Sequence, residues 1–197
     1  HASLSTEVHG SVALSESPVQ LLETGFQTRD DSAVFFAVDH EGGRIVHIHF
    51  SPTGMEAKSF AAPWETAPER IALVGFGVPD ISDYRMVWAV NQGDTTDIYA
   101  APLTANEGGA GDAPPILLHR SALPLAAWAI TPLVWQEEAQ LQALWGPDDE
   151  GQMAYQRIRF GPQPPTSETW CFPPPDGDIS SWAVGHAEGE ELPVVAR

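Results

Sequence analysis

A chain of 197 residues with 43% hydrophobic residues is long enough to bury a core and too apolar to stay disordered. Nine basic residues against 27 acidic ones give a net charge of −18, and Lys58 is the only lysine. No basic stripe is left for a phosphate backbone or an anionic lipid surface, so neither nucleic acid nor membrane is an expected partner. Cys171 stands alone, which rules out an intramolecular disulfide and a cysteine-based zinc site. No apolar run approaches the roughly 18–20 residues of a membrane span. The charge suits solubility, a basic partner, bound cations or a high-salt habitat, and composition does not separate these. The chain opens on His1 with no signal-peptide pattern behind it, which reads as a processed product or a piece of something longer. The compartment stays open, the lone cysteine being compatible with cytoplasm.

Pro 18, Gly 17 and seven Trp indicate many short strands joined by turns. In chain order, "STEVHGSVALS" alternates as one or two strands around a turn, and residues 27–33 form a polar loop. The strongest hairpin follows: "AVFFAV", the turn "DHEGG", then "RIVHIHF". It sets Ile45, His47 and His49 on one face and Val46, Ile48 and Phe50 on the other. "SPTGMEAK" reads as a turn and "PWETAPER" as a proline-broken connector. "IALVGFGV" is a buried-type strand, and "RMVWAV" and "DIYAAPL" pair around "NQGDTT". Residues 104–115 are linker-like. "ILLHR" reads as an edge strand opening a third unit, followed by "AAWAITPLVW", "LQALWG" and "MAYQRIRF". The stretch around "SETWCF" reads as irregular, and "SSWAV" opens a last unit.

The hairpins recur. Anchored on Phe36, Trp88 and Trp145, they are spaced 52 and 57 residues apart, with Asp39, Asn91 or Asp148 three residues after each anchor. Ile71 precedes Trp88 by 17 residues, as Trp128 precedes Trp145, and Trp182 follows Trp128 by 54. A period of about 40–57 residues carrying several strands per unit is the sequence signature of propeller blades. The expected fold is all-β, a β-propeller of four-stranded antiparallel sheets, with a sandwich as the alternative. Repeat boundaries fall near 1–60, 61–113, 114–165 and an incomplete 166–197. Either the N-terminal strands complete the last blade, giving about four, or another chain supplies further blades.

The second repeat, with Asn91 and Gly93 in the turn and Asp97, Ile98 and Tyr99 in the strand after it, resembles TolB-type and WD-like propeller repeats. The third keeps Asp148, Gly151 and Tyr155; the first keeps Asp39 and Gly42 but lacks the tyrosine, and the WD dipeptide is absent. The resemblance implies an interaction platform more often than an enzyme.

In a four-stranded blade the turns between second and third strands open on one face. That expectation gathers Asp39, His40, Asn91, Asp94, Asp148 and Asp149 on one surface suited to a protein partner with basic or polar loops. No catalytic residue and no cofactor are assigned. The acidic turns "GPDDEG", "GDTTD" and "PDGD" carry oxygen ligands of the calcium type without the regular spacing of a calcium loop, and turn formation explains them equally well. His47 and His49 with His40 nearby would need a third metal ligand. The rival reading is a carbohydrate-binding or glycoside-cleaving propeller, with Trp64, Trp135 and Trp170 near turns as sugar-stacking rings and carboxylates beside them.

Overall fold

The computed structural model describes residues 19–27, 33–39, 43–75, 84–104, 109–110, 114–122, 125–135, 138–148, 150–160, 165–176, 182–184 and 194–196. Among them there is no helix; the regular structure is strands alone. The first sheet holds β1 (Val19–Gln27), β2 (Ala33–Asp39), β3 (Arg44–Ser51) and β4 (Gly54–Ala61) in chain order. The second holds β5 (Arg70–Gly75), β6 (Tyr84–Asn91) and β7 (Thr95–Thr104). The outer side of β7 is shared by β8 (Gly109–Ala110) and β9 (Ile116–Ala122). The third holds β10 (Ala127–Trp135), β11 (Glu138–Gly146), β12 (Met153–Phe160) and β13 (Thr166–Phe172), and β14 (Trp182–Val184) pairs with β15 (Val194–Ala196). Every pairing is antiparallel.

The sheets stack face to face in chain order, their first strands touching in series from β1 to β5, β10 and β14. Phe36, Val38, Ile45 and Phe60 of the first sheet share a core cluster with Leu73, Met86, Trp88 and Val90 of the second. The opposite face of the second, Val87, Ala89, Ile98 and Ala100, packs with Leu141, Ala143, Trp145 and Ile158 of the third. The far face of the third, Ala127, Ala129, Leu144, Met153 and Tyr155, receives Val184 and Trp182. A sheet covered on both faces needs apolar residues at odd and even positions alike, and "RMVWAV" and "LQALWG" supply them.

The spacing of 17 residues has a direct structural cause: Ile71 pairs with Trp88, and Trp128 with Trp145, as cross-strand partners in equivalent hairpins. The anchor equivalence holds for Trp88 and Trp145, which both face the preceding sheet, and fails for Phe36, which faces the following one. Side chains alternate with period two, so a one-residue offset in alignment exchanges the faces. In the first sheet it is Ala37, Val46 and Ile48, with Phe35 and Met55, that occupy the face away from the second sheet.

Three further expectations are corrected. "ILLHR" does not open the third unit; as β9 it closes the second sheet against β7, from Thr95 opposite Ala122 to Ala100 opposite Ile116. The fourth strand of the third sheet is instead β13, the segment read as irregular, paired from Met153 opposite Phe172 to Arg159 opposite Thr166. "SPTGMEAK" turns only at Ser51–Gly54 and continues as β4. The exposed edge strand β13 lacks the apolar alternation that marks half-buried ones, because it packs little of its surface. The N-terminal strand reading lies outside the described residues.

Gly146 ends β11 with φ 144°, and a Cβ there would meet the Gln152 carbonyl oxygen at 3.1 Å and Met153 Cα at 3.2 Å, so only glycine fits. Truncating Trp88 or Trp145 to alanine is expected to lower the unfolding free energy by about 3–5 kcal/mol. Phe50→Ala, at a side chain 41% exposed, should cost much less, and urea denaturation of the three variants checks the order.

Candidate functional site

The end of β9, beside the β6–β7 turn, meets the β11–β12 turn. Ser121, opposite Thr96 beside the β6–β7 turn, donates its hydroxyl to the Pro147 carbonyl in the β11–β12 turn at 2.6 Å. That bond joins the turn ends of the second and third sheets into one rim. Trp64 lies just past the turn end of the first sheet, where the Ala62 amide donates to the Gly43 carbonyl, and packs on Trp88 with ring centroids 5.8 Å apart.

On that rim the expected residues divide. Asn91 and Asp94 are exposed and Asp148 is half-buried. Asp39 is buried at the end of β2, opposite Arg44, and does not offer its carboxylate to solvent. His40 and Asp149 lie outside the described residues. Two of these side chains are used by their own turns. Asn91 Oδ1 accepts the Gly93 amide at 2.9 Å, and Asp148 Oδ1 accepts the amides of Glu150 at 3.0 Å and Gln152 at 2.8 Å. Each side chain supplies the acceptor that a tight turn leaves its amides seeking. Among the described residues of these turns, Asp94 and Glu150 are the exposed carboxylates.

A second charged group sits just inside the rim. Asp97 is buried, yet its carboxylate accepts both the Nε and the terminal nitrogen of Arg120 at 2.6 and 2.9 Å and the Tyr99 hydroxyl at 3.2 Å. The Arg120 hydrogen bond holds the Asp97 carboxyl below its ordinary value, outweighing the opposing effect of burial. A bidentate fork of this kind ties β7 to β9 and fixes β9 in the second sheet. In the third sheet the Trp145 indole donates to Gln156 Oε1 at 2.9 Å, and Gln156 Nε2 reaches Thr169 Oγ1 at 3.1 Å. His119 stacks on Trp145 across the sheets at 6.2 Å.

His47 and His49 share one face of β3, opposite Lys58 and Glu56 of β4. Half-buried His47 has its ring 5.1 Å from Phe36, and burial first, then the neighbouring His49 and Lys58 charges, lowers its affinity for a proton below the ordinary 6.5. Among the described residues no group of three or more His, Cys, Asp or Glu side chains is arranged to hold a metal ion. Of the tryptophans read as sugar-stacking rings, Trp64 is half-buried against the first core cluster, Trp170 is 37% exposed on β13, and the Trp135 side chain lies outside those described. No helix among the described residues is long and apolar enough to cross a membrane. The residues missed from the sequence are Arg120, whose pairing required β9 to be placed in the second sheet, and Gln156, whose partner lies on a strand read as irregular.

Asp97→Asn should destabilise by about 1.5–3 kcal/mol through loss of charge-assisted hydrogen bonds, and Asp94→Asn by less than about 0.5 kcal/mol as an exposed change; thermal melts of both variants check the contrast. For His47 the folded form takes up a proton less readily than the unfolded chain, so its contribution to stability is present above pH 6.5 and lost as pH falls below it. His47→Gln is expected to flatten the stability slope below pH 6.5, read by urea midpoints across that window. In comparisons with known proteins, no family model, no curated protein and no solved structure matches the chain.

Proposed function

We propose that the chain is a β-propeller-type stack of blades, forming a whole ring or a segment of a larger one, that serves as a non-catalytic protein-interaction module through its acidic turn rim. The observation that supports this reading is the Ser121–Pro147 hydrogen bond, which ties the end of β9, opposite Thr96, to the β11–β12 turn. Asn91, Asp94 and Glu150 are exposed there, in a chain of net charge −18. Closely spaced carboxylates on a rigid scaffold attract basic loops by long-range steering, and the sheets beneath hold the turns in place. The turn-internal bonds of Asn91 and Asp148 narrow the proposal, since these two shape the rim while Asp94 and Glu150 are free to meet a partner's cations. The order of first strands, from β1 to β5 to β10 to β14, is the order that blades of a propeller take around an axis, and supports that architecture.

The test is binding of an arginine-rich peptide followed by fluorescence anisotropy at several salt concentrations. The expected result is an affinity that falls steeply with salt and drops several-fold in an Asp94→Asn, Glu150→Gln double variant. Equal affinity in the double variant and the parent chain would sink the rim as the binding surface.

A further inference from the structure

The outer edges of the first three sheets are finished differently. In the first sheet the last strand, β4, carries Lys58 and Glu56 and touches β8 of the second. In the second sheet the ladder from β7 to β9 slips in register between Ile98 and Tyr99. Charged side chains, bulges and covering segments are the usual means by which an edge strand is kept from pairing with another chain. The edge of the third sheet, β13, shows none of them. Its sequence "TSETWCF" holds no lysine and no proline, and it pairs with β12 in unbroken register from Met153 opposite Phe172 to Arg159 opposite Thr166. Its one charge, Glu168, is balanced within the sheet by Arg157 at 3.9 Å and Arg159 at 3.3 Å.

This edge is also open. Six of its seven residues are exposed and the last, Phe172, is half-buried, so the strand is bare to solvent. No described strand pairs beyond it. An antiparallel strand bonds its neighbour through alternate residues, and the amides and carbonyls of the others point outward. Prolines bound this free ladder: Pro165 precedes Thr166, and Pro173, Pro174 and Pro175 follow Phe172. Proline has no amide hydrogen to donate, so an added strand finds partners along β13 and no further. Thr166, Thr169, Trp170 and Phe172 are β-branched or aromatic, the residue types that pack best across strands.

Direction and charge narrow the occupant. β13 runs toward the turn rim, since Phe172 lies opposite Met153, at the end of the β11–β12 turn. A strand added antiparallel to β13 therefore begins at the rim end. Exposed Glu150 in that turn and exposed Asp176, just past β13, belong to the same end. The added strand would stand about 10 Å from β12, two strand spacings. That is close to the screening length of about 8 Å at physiological salt, so basic residues preceding the strand feel these carboxylates. A net charge of −18 favours a cationic occupant and sets a second copy of the chain against itself.

We propose that β13 accepts an extended segment of a partner protein as an added antiparallel strand, with a basic stretch just before that segment lying against the acidic rim. Main-chain hydrogen bonds hold the segment, and β-branched or aromatic side chains pack beside Trp170 and Phe172. The basic stretch fixes the direction. Its part rests on the rim reading above, whereas the added strand stands without it.

The probe is a fluorescein-labelled peptide as long as β13, alternating valine and threonine. It is made bare, with an arginine run before it, with the run after it, and with a central proline. Binding to the 197-residue chain is read by anisotropy, and the backbone amides of Thr166–Phe172 by hydrogen exchange in NMR spectra. The bare peptide should bind, and the proline version at least about tenfold more weakly, because ladder bonds are lost. Alternate amides of β13 that exchange fast in the free chain should become protected. An arginine run before the strand should tighten binding several-fold at low salt, and a run after it should do less. No binding by any peptide, equal affinity for the proline version, or binding that leaves the β13 amides unprotected would overturn the added strand; the last of these would leave the rim as the binding surface. Protection of β13 with an arginine run that adds nothing at either end would uphold the strand and remove the rim from the proposal. Sedimentation of the chain alone covers the other occupant: a dimer in which the same amides are protected would assign the edge to a second copy and overturn the proposal.

Discussion

Trp145 is fully buried between the second and third sheets, and much of the structure is arranged around it. It shares a core cluster with the second sheet's Val87, Ala89 and Ile98, Trp128 lies beside it from β10, and His119 stacks on it from β9. Its one polar atom is passed on through Gln156 to Thr169 on β13, so the same side chain that seals the sheet interface also orders the outer strands. Isolated sheets of this size, apolar on both faces, are not stable in water; they persist only stacked. In the preceding sheet Trp88 has the corresponding role, with Trp64 and Tyr99 packed on its ring. The fold is therefore a series of mutually dependent layers, in which removing one aromatic exposes two faces.

The acidic character of the chain enters the structure in two forms. At the turns, Asp148 and Asn91 work locally as acceptors for backbone amides, a use that needs a short polar side chain and no partner molecule. Asp97 is different in kind. Its burial would be costly without Arg120, and the pair converts a residue in the strand after the β6–β7 turn into a clamp between β7 and β9. The exposed remainder, Asp94 and Glu150 among it, is what gives the rim its surface charge. Counting carboxylates in the sequence mixes these roles, and only their hydrogen bonds separate them.

The third sheet carries two faces of opposite chemistry. The one toward the second sheet is a packed apolar layer, and the one away from it passes from apolar to polar within four residues of β11, from Leu144 to Gln142 and Gln140. The alternation is visible in "MAYQRIRF", where Tyr155, Arg157 and Arg159 fall on one side and Gln156 and Ile158 on the other. Without knowing that both sides of β12 are largely covered, that pattern reads as an ordinary half-exposed strand. Burial of Gln142 and Tyr155 shows that it is not.

Local patterning was enough to establish the all-β class, the hairpins at Phe36, Trp88 and Trp145, and the equivalence of two of them, because turn chemistry and period-two alternation are written within a few residues. The paired spacing of Ile71 with Trp88 and of Trp128 with Trp145 was legible for the same reason, being the register of one hairpin written twice. Packing had to settle which sheet takes "ILLHR", which face Phe36 presents, and that "SETWCF" is a strand. Those outcomes depend on partners far away in the chain: an edge strand is defined by the sheet that accepts it, and a face by the layer that covers it. The candidate site divides the same way. Asn91, Asp94 and Asp148 were readable as turn residues, whereas the burial of Asp39 and the Asp97–Arg120 clamp arise from packing between segments that no local pattern connects.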